Sequence, residues 1–254
     1  MRTLALMLAA LAACADPGDD APADVVGTIQ IEEADLDPTL AVASIYATFT
    51  EPDQPDRYDD GTCRVYPRPC LGQVGACGSP PQHSAGTLTI TGLARPITLV
   101  PDGETHSYPS PGGLPADLFA DAATIAVSAS GGAVPGFSAT LTGVTPLVSP
   151  YAGASAGVVP GQPHALTWDA ASDGARIRFQ LNWANICHAG AEWYVLVCEV
   201  PDTGGFTIPA AATMALPAAG FGPCGGGLAR VRHAALPGRA IDVTVASADY
   251  FGFF

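Results

Sequence analysis

The stretch Arg176-Ile-Arg-Phe-Gln-Leu-Asn-Trp183 alternates polar and apolar residues without a break. Successive side chains of a β-strand point to opposite faces of a sheet, so this pattern predicts a strand with one apolar and one polar face. The apolar face carries Ile177, Phe179, Leu181 and Trp183, and the polar face carries Arg176, Arg178, Gln180 and Asn182. Such a division is typical of an antiparallel sheet that is wetted on one side.

The same period of two recurs along the chain, in residues 43–49, 87–91, 124–129, 137–142 and 241–245. The 29 Gly and 24 Pro residues break helices and favour turns between short strands. Only Ala210 to Leu216, which follows Pro209, has a helical pattern. The sequence therefore predicts an all-β fold, an antiparallel β-sandwich of Ig-like or jelly-roll-like type with at most one short helix.

The domain organisation follows from composition. We expect a signal peptide over 1–13, a lipidated acidic tether over 14–38, and a β-sandwich domain over 39–254, with two Ig-like halves as the alternative. Val25 to Ile31 has the pattern of a short strand, which would end the tether early. Glu51 to Pro81 is polar and Pro-rich and reads as one long loop. The aromatic end, Tyr250 to Phe254, predicts a final edge strand.

The N-terminus has the features of an export signal. Arg2 precedes an apolar run from Leu4 to Ala13, which is too short to span a bilayer. The run ends in Leu11-Ala-Ala-Cys14, which resembles the lipobox of bacterial lipoproteins. That resemblance implies cleavage before Cys14, lipidation of its thiol, and acylation of the new amine. The alternative is an ordinary secretory signal with a chance cysteine.

A second resemblance covers short pieces from about Ser84 onward. The pieces are Ser84-Ala-Gly86, Val134-Pro-Gly-Phe137, Leu166-Thr-Trp168 and Gly204-Gly-Phe-Thr-Ile-Pro209. They are similar to uncharacterised envelope lipoproteins of Gly/Ala/Pro-rich bacterial proteomes. The resemblance implies a β-rich domain outside the cytoplasm and transfers no functional residue. Ala15 and Asp16, just after the lipid, leave the sorting between the inner and outer membranes open, and we expect the outer membrane in preference.

The charge balance limits the partners. The chain has 24 acidic residues, no Lys and a net charge of −14. This charge repels phosphate backbones, so we expect no nucleic-acid partner. It also repels anionic membrane surfaces, so we expect contact with the membrane through the lipid anchor. An envelope protein or a glycan is the remaining class of partner.

Six cysteines remain once Cys14 is assigned to lipid. They are Cys63, Cys70, Cys77, Cys187, Cys198 and Cys224. An even number in an exported chain predicts up to three disulfides, although the sequence alone does not choose among the pairings. Our interpretation pairs Cys63 with Cys77, Cys187 with Cys198, and Cys70 with Cys224. Their spacing does not fit a structural zinc site.

One segment matches a hydrolase motif. Gly153-Ala-Ser-Ala-Gly157 fits G-x-S-x-G, the turn that presents the nucleophilic serine of α/β-hydrolases. That chemistry needs a strand–turn–helix context, and Pro160 stops a helix directly after the motif. An exported hydrolase that uses Ser155 stays an alternative, and we assign no catalytic residue.

Metal and cofactor motifs are weak. The histidines at 83, 106, 164, 188 and 233 form no H-x-x-x-H pattern. Asp53, Asp56, Asp59 and Asp60 precede Gly61, but Tyr58 occupies a ligand position of the EF-hand template. We expect a solvated acidic loop there, with calcium in another geometry left open, and we assign neither a metal nor a cofactor.

Aromatic residues gather near one predicted hairpin. Trp183, His188, Trp193 and Tyr194 are the candidate ligand contacts, because aromatic rings stack on sugars. Trp193 and Tyr194 face opposite ways on a strand, so only one of them belongs to the core. We expect a lipid-anchored cell-envelope protein with a non-enzymatic binding, adhesion or scaffold role. A carbohydrate-binding module is an alternative alongside the hydrolase.

Overall fold

The computed structural model describes residues 25–37, 40–51, 55–69, 81–151, 157–184 and 192–251. Within these ranges the chain forms fourteen strands and one helix. The strands are β1 (Val26–Asp37), β2 (Leu40–Thr50), β3 (Tyr58–Asp59), β4 (Cys63–Pro69), β5 (Leu88–Thr91), β6 (Ile97–Leu99), β7 (Thr124–Ala129), β8 (Phe137–Thr142), β9 (His164–Thr167), β10 (Arg176–Ala184), β11 (Glu192–Pro201), β12 (Gly205–Ile208), β13 (Gly222–Ala235) and β14 (Ile241–Phe251). The helix, α1, spans Ala210–Met214.

The strands form three sheets. An eight-stranded sheet has the order β2-β1-β14-β13-β10-β11-β4-β3, a four-stranded sheet has the order β6-β5-β7-β8, and β12 pairs with β9. Every pair is antiparallel except β1 with β14, which is parallel. The predicted all-β sandwich is therefore confirmed. No helix in the described ranges has the length and hydropathy that crossing a bilayer requires.

One face of the eight-stranded sheet is apolar and covers two cores. The first core lies between β1, β2, β14 and the four-stranded sheet, and includes Phe49, Leu88 and Val243. The second core lies under β10, β11 and β13, where Phe179 and Leu196 pack with residues of β9, β12 and α1. The large sheet thus contributes strands to both cores.

The predicted tether is wrong over residues 26–37. These residues form β1, which lies between β2 and β14 in the large sheet. The acidic residues suggested a solvated segment, but Ile29 and Ile31 alternate with them and are fully buried in the first core. The predicted strand over Val25 to Ile31 is confirmed and is longer than expected. The rest of the predicted tether, and Cys14 with it, lies outside the described residues.

Two further expectations about the chain's course are wrong. The last strand, β14, is not an edge strand, because β1 and β13 flank it and bury Val243 and Val245. The predicted loop over 51–81 contains β3 and β4, which extend the sheet beyond β11. The prolines of β4 argued against a strand at the sequence level. They are tolerated because β4 is only weakly paired along its outer edge, where a missing N–H donor costs little.

The disulfide pattern also differs from our interpretation. Cys63 bonds to Cys198, which lies 135 positions further along the sequence, with a Cα–Cα distance of 4.0 Å. The pairs Cys63–Cys77 and Cys187–Cys198 are therefore wrong. The reason is that β4 pairs with β11, which places Cys63 directly opposite Cys198 in the second core. Cys224 is also disulfide-bonded, and Cys70, Cys77 and Cys187 lie outside the described residues.

A buried ion pair joins the large sheet to the loops that cover it. Arg230 of β13 and Asp202 are almost fully buried, and Arg230 Nε donates to Asp202 at 2.8 Å. The rest of the guanidinium donates to the carbonyls of Thr145, Pro146 and Asp169. A buried guanidinium is tolerated only when its donors are satisfied. Arg230 therefore fixes three separate loops against β13.

We predict that Arg230→Met lowers the free energy of unfolding by about 3–5 kcal/mol, because it leaves a buried carboxylate and three carbonyls without their donor. Urea denaturation followed by tryptophan fluorescence measures this loss. The control is Arg239→Met, which removes an exposed guanidinium from two carbonyls and should cost less than about 1 kcal/mol. Equal losses in the two variants would contradict the structural role of Arg230.

Candidate functional site

The second face of the eight-stranded sheet is polar and concave. Side chains from β2, near one edge, and from β4, near the other, line the same cavity of 430 Å³. Six strand spacings of about 4.8 Å would separate β2 and β4 by roughly 29 Å in a flat sheet. A cavity of this size reaches both strands only because the sheet curls around it. A second cavity of 420 Å³ adjoins the first, since Gln30, Tyr46, Arg68, Arg178 and Gln180 line both. We call the two cavities together the groove.

Small residues form the floor of the groove. They are Gly226, Gly227, Ala229, Ala246 and Ala248, on the central strands β13 and β14. Longer side chains rise on either side, from β1 and β2 on one wall and from β10 and β4 on the other. The size difference between floor and walls adds depth to the curl of the sheet. The groove thus follows from where the sequence places glycine and alanine.

A network centred on His233 closes one end of the groove. His233 Nδ1 lies 2.7 Å from Asp242 Oδ2, and its Nε2 lies 2.9 Å from Glu199 Oε2. Arg176 and Arg178, on the neighbouring β10, also pair with Glu199 at 2.9 and 3.3 Å. Both imidazole nitrogens face a carboxylate, so the ring is held with a proton on each nitrogen.

The electrostatics of this network match its geometry. Burial opposes the charge on His233, but the hydrogen bonds that its ring donates to Asp242 and Glu199 outweigh this effect and raise the pKa of His233 to about 9. Burial likewise opposes the charge on Glu199, yet His233, Arg178 and Arg176 lower its pKa to about 2. All the charges in the network are therefore present at neutral pH, and each of them is paired.

A buried carboxyl lies in the other wall. Glu32 is 5% exposed and accepts hydrogen bonds from Tyr250 Oη and Gln30 Nε2. Burial raises the pKa of Glu32 above its usual range, although both hydrogen bonds and the charge of Arg178 oppose the shift. Burial also raises the pKa of Tyr250, and the nearby Glu32 adds to that effect. The hydroxyl of Tyr250 and the amide of Gln30 thus surround the buried carboxyl in this wall.

The predicted aromatic contacts separate between the two faces. Trp183 and Tyr194 are buried in the second core, so the exposed strip that they would form with Trp193 is not present. Trp193 is half-buried and pairs in register with Arg68, which lines the groove. Directly opposed residues share a face, so Trp193 lies on the groove face of β11. His188 lies outside the described residues.

The other predicted site residues fall elsewhere. Ser155 and Asp53 lie outside the described residues. Asp59 and Asp60 accept hydrogen bonds from backbone amides of the turn between β3 and β4, and those to Asp60 lower the pKa of its carboxyl. In the part of the chain that the structure describes, no group of three His, Cys, Asp or Glu residues could hold a metal ion.

Sequence reasoning missed the main residues of the groove. His233, Glu199, Asp242 and Glu32 were not singled out, because they lie on four different strands and only His233 and Asp242 are close in sequence. One signal was available in the polar face of residues 176–182, which holds Arg178 and Gln180. Polar residues at alternate positions of a central strand mark a face that meets water or a ligand. Their partners depend on strand order, which the sequence did not provide.

Comparisons with family models and with curated proteins found no relative of this chain. No family model matches the chain, and no curated protein matches it. The functional interpretation therefore rests on the groove.

We predict that the His233 network stabilises the fold most between about pH 4.5 and 6.5. The raised pKa of His233 gives stability that is complete below 6.5 and is lost as pH rises through about 9. The lowered pKa of Glu199 gives stability that is complete above 4.5 and is lost as pH falls towards about 2. The difference in unfolding free energy between wild type and His233→Gln, measured by urea denaturation, should peak in this window at on the order of 3 kcal/mol.

The control is His106→Asn, an exposed histidine in a loop, which should leave the pH profile unchanged. A difference between wild type and His233→Gln that stays constant from pH 5 to pH 9 would show that His233 stabilises the fold by packing alone.

Proposed function

We propose that this protein is a lipid-anchored cell-envelope protein that binds a glycan in the groove and does not change its bonds. The observation that carries the proposal is the groove itself, two adjoining cavities of 430 and 420 Å³ whose walls carry amides, hydroxyls and charged groups. Binding pockets for small organic ligands are lined mostly by apolar side chains. A wall of this polarity suits a ligand that is rich in hydroxyl groups.

The groove offers the contacts that a sugar chain uses. Gln30, Gln180 and Asn182 present amide groups, each of which can both donate and accept hydrogen bonds. Tyr46 is 38% exposed at the rim and supplies an aromatic face with a hydroxyl. The two cavities adjoin, so the groove has room for an extended chain of several sugar units.

Binding is favoured over catalysis by the state of the acidic groups. Glu199 and Asp242 are each engaged by His233, so neither is free to act as a base. Glu32 is buried and held by Tyr250 and Gln30. A general acid or base needs reach to the substrate and a pKa near the working pH. Because these groups are held by contacts within the protein, they suit a rigid surface that binds a ligand without reacting with it.

Two observations support the location. The lipobox-like stretch Leu11-Ala-Ala-Cys14 follows an apolar run of signal-peptide length. The Cys63–Cys198 disulfide joins two strands within the second core, and such bonds form mainly in oxidising compartments. A lipid on Cys14 would hold the groove at the surface of a membrane, where envelope and extracellular glycans are found.

We predict that Ala229→Phe weakens glycan binding by at least about tenfold, because a phenyl ring on the groove floor fills the space for the ligand. An immobilised array of bacterial, algal and plant oligosaccharides provides the probe. The control is Ala126→Phe, the same change at a half-buried alanine of β7 in the other sheet. Absence of binding by wild type, or equal binding by both variants, would overturn the proposal.

We predict that Cys14→Ala moves the protein from the membrane fraction to the soluble fraction of the producing cells, because the acyl chains supply the membrane affinity. Mass spectrometry of the wild-type N-terminus should show acylated Cys14 as the first residue. An unmodified thiol, or equal membrane association of the variant, would contradict the lipid anchor and leave the groove proposal intact.

A further inference from the structure

The arginines of this chain are nearly all engaged. Nine of the ten lie in the described residues, and eight of these nine have side-chain partners within the protein. Arg176, Arg178, Arg230 and Arg232 pair with carboxylates, Arg57 and Arg64 lie over tyrosine rings, and Arg95 and Arg239 donate to backbone carbonyls. Among the nine described arginines, Arg68 alone has a side chain with no ion pair, hydrogen bond or ring contact.

The position of Arg68 makes this lack of a partner informative. Its half-buried side chain lines both cavities of the groove. A half-buried guanidinium loses part of its hydration, and an acidic partner normally repays that loss. This chain has 24 acidic residues and a net charge of −14, so acidic partners are abundant. Arg68 nevertheless pairs with none of them in the described residues, and it lines the groove.

The acidic groups around the groove do not compensate Arg68. Glu32 is occupied by Tyr250 and Gln30, and Asp242 by His233 and Thr244. Asp56 lines the second cavity but is exposed at its rim. Arg64 lies over the Tyr66 ring at 4.8 Å beside the same cavity and adds a second positive charge. The β4 wall of the groove is therefore locally cationic in a strongly anionic protein.

We infer that the glycan carries a carboxylate and that Arg68 binds it, so the ligand class is an oligosaccharide containing uronic acid. A guanidinium presents a planar fork of N–H donors that matches the two oxygens of a carboxylate. Trp193, the cross-strand neighbour of Arg68 on the same face, offers an aromatic surface for the sugar ring that bears the carboxylate. The overall negative charge would disfavour an acidic ligand elsewhere on the surface, so recognition is confined to this wall.

This inference rests on the proposed function and adds the chemical class of the ligand. It also assigns Arg68 as a specificity-determining residue. Its β4 position is held by the Cys63–Cys198 disulfide, which ties β4 to β11 five residues before Arg68. The guanidinium of Arg68 is therefore carried by a strand that a disulfide links to its neighbour in the sheet.

The test uses the detergent-solubilised full exported chain and matched pairs of probes. Each pair consists of a uronate hexasaccharide, from polygalacturonate, alginate or a glucuronate polymer, and the same hexasaccharide with its carboxyls methyl-esterified. The ester removes the charge and keeps the ring, so the comparison isolates the carboxylate. Isothermal titration calorimetry measures affinity for wild type, Arg68→Gln, Arg68→Lys and the control Arg95→Gln, which removes an equal charge from the four-stranded half.

We expect wild type to bind at least one free uronate about ten- to hundredfold more tightly than its ester, the range of a charge-assisted hydrogen bond. Arg68→Gln should remove this preference, Arg68→Lys should restore part of it, and Arg95→Gln should keep it. Circular dichroism and the unfolding temperature establish that each variant is folded.

The outcomes separate the two proposals. Equal affinity for acid and ester, or a preference that survives in Arg68→Gln, overturns the carboxylate inference while groove binding stands. Binding of neutral glycans alone has the same meaning. If wild type binds no oligosaccharide of any kind, the proposed function fails and the inference fails with it.

Discussion

The buried contact of Arg230 with Asp202 is the constraint on which the architecture depends. Arg230 stands on β13, in the middle of the eight-stranded sheet, and its guanidinium reaches loops that follow β8, β9 and β11. Asp202 in turn accepts from Trp168 Nε1 and from the amide of Ala171. These contacts fix the irregular segments that cover the second core to the central strand. The apolar face of the sheet is thereby covered, and the opposite, polar face curls around the groove.

The groove combines rigidity with a solvated interior. The charged groups of the His233 network pair with one another, and Glu32 is hydrogen-bonded to Tyr250. These contacts fix the walls of the groove, and the groups that make them are occupied within the protein. The glycine and alanine floor leaves space that longer side chains would fill. Arg68 differs from the other arginines of the walls because its donors have no partner within the described residues, so it is the group that can select a charged ligand.

The fold class was predictable from local patterns, and the site was not. Alternation in residues 176–183 identified β10 and its two faces, because burial on one side imposes a period of two. The same rule failed for residues 26–37, where acidic residues outweighed Ile29 and Ile31 in the interpretation. The disulfide and the groove depend on which strands are neighbours: Cys63 meets Cys198, and His233 meets Glu199, across more than thirty residues of chain. Long-range strand order is set by the packing of both cores together, which a single sequence does not display.

The central claim is that the concave polar face of the large sheet is a ligand-binding surface. Backbone amide chemical shifts of the isotope-labelled protein, recorded by NMR during titration with the uronate hexasaccharide and with its neutral methyl ester, test it most directly. The account predicts shifts concentrated on β4, β10, β13 and β14 around Arg68, Gln180 and Ala229. Shifts concentrated on the four-stranded sheet, or an unchanged spectrum at saturating ligand, would contradict it.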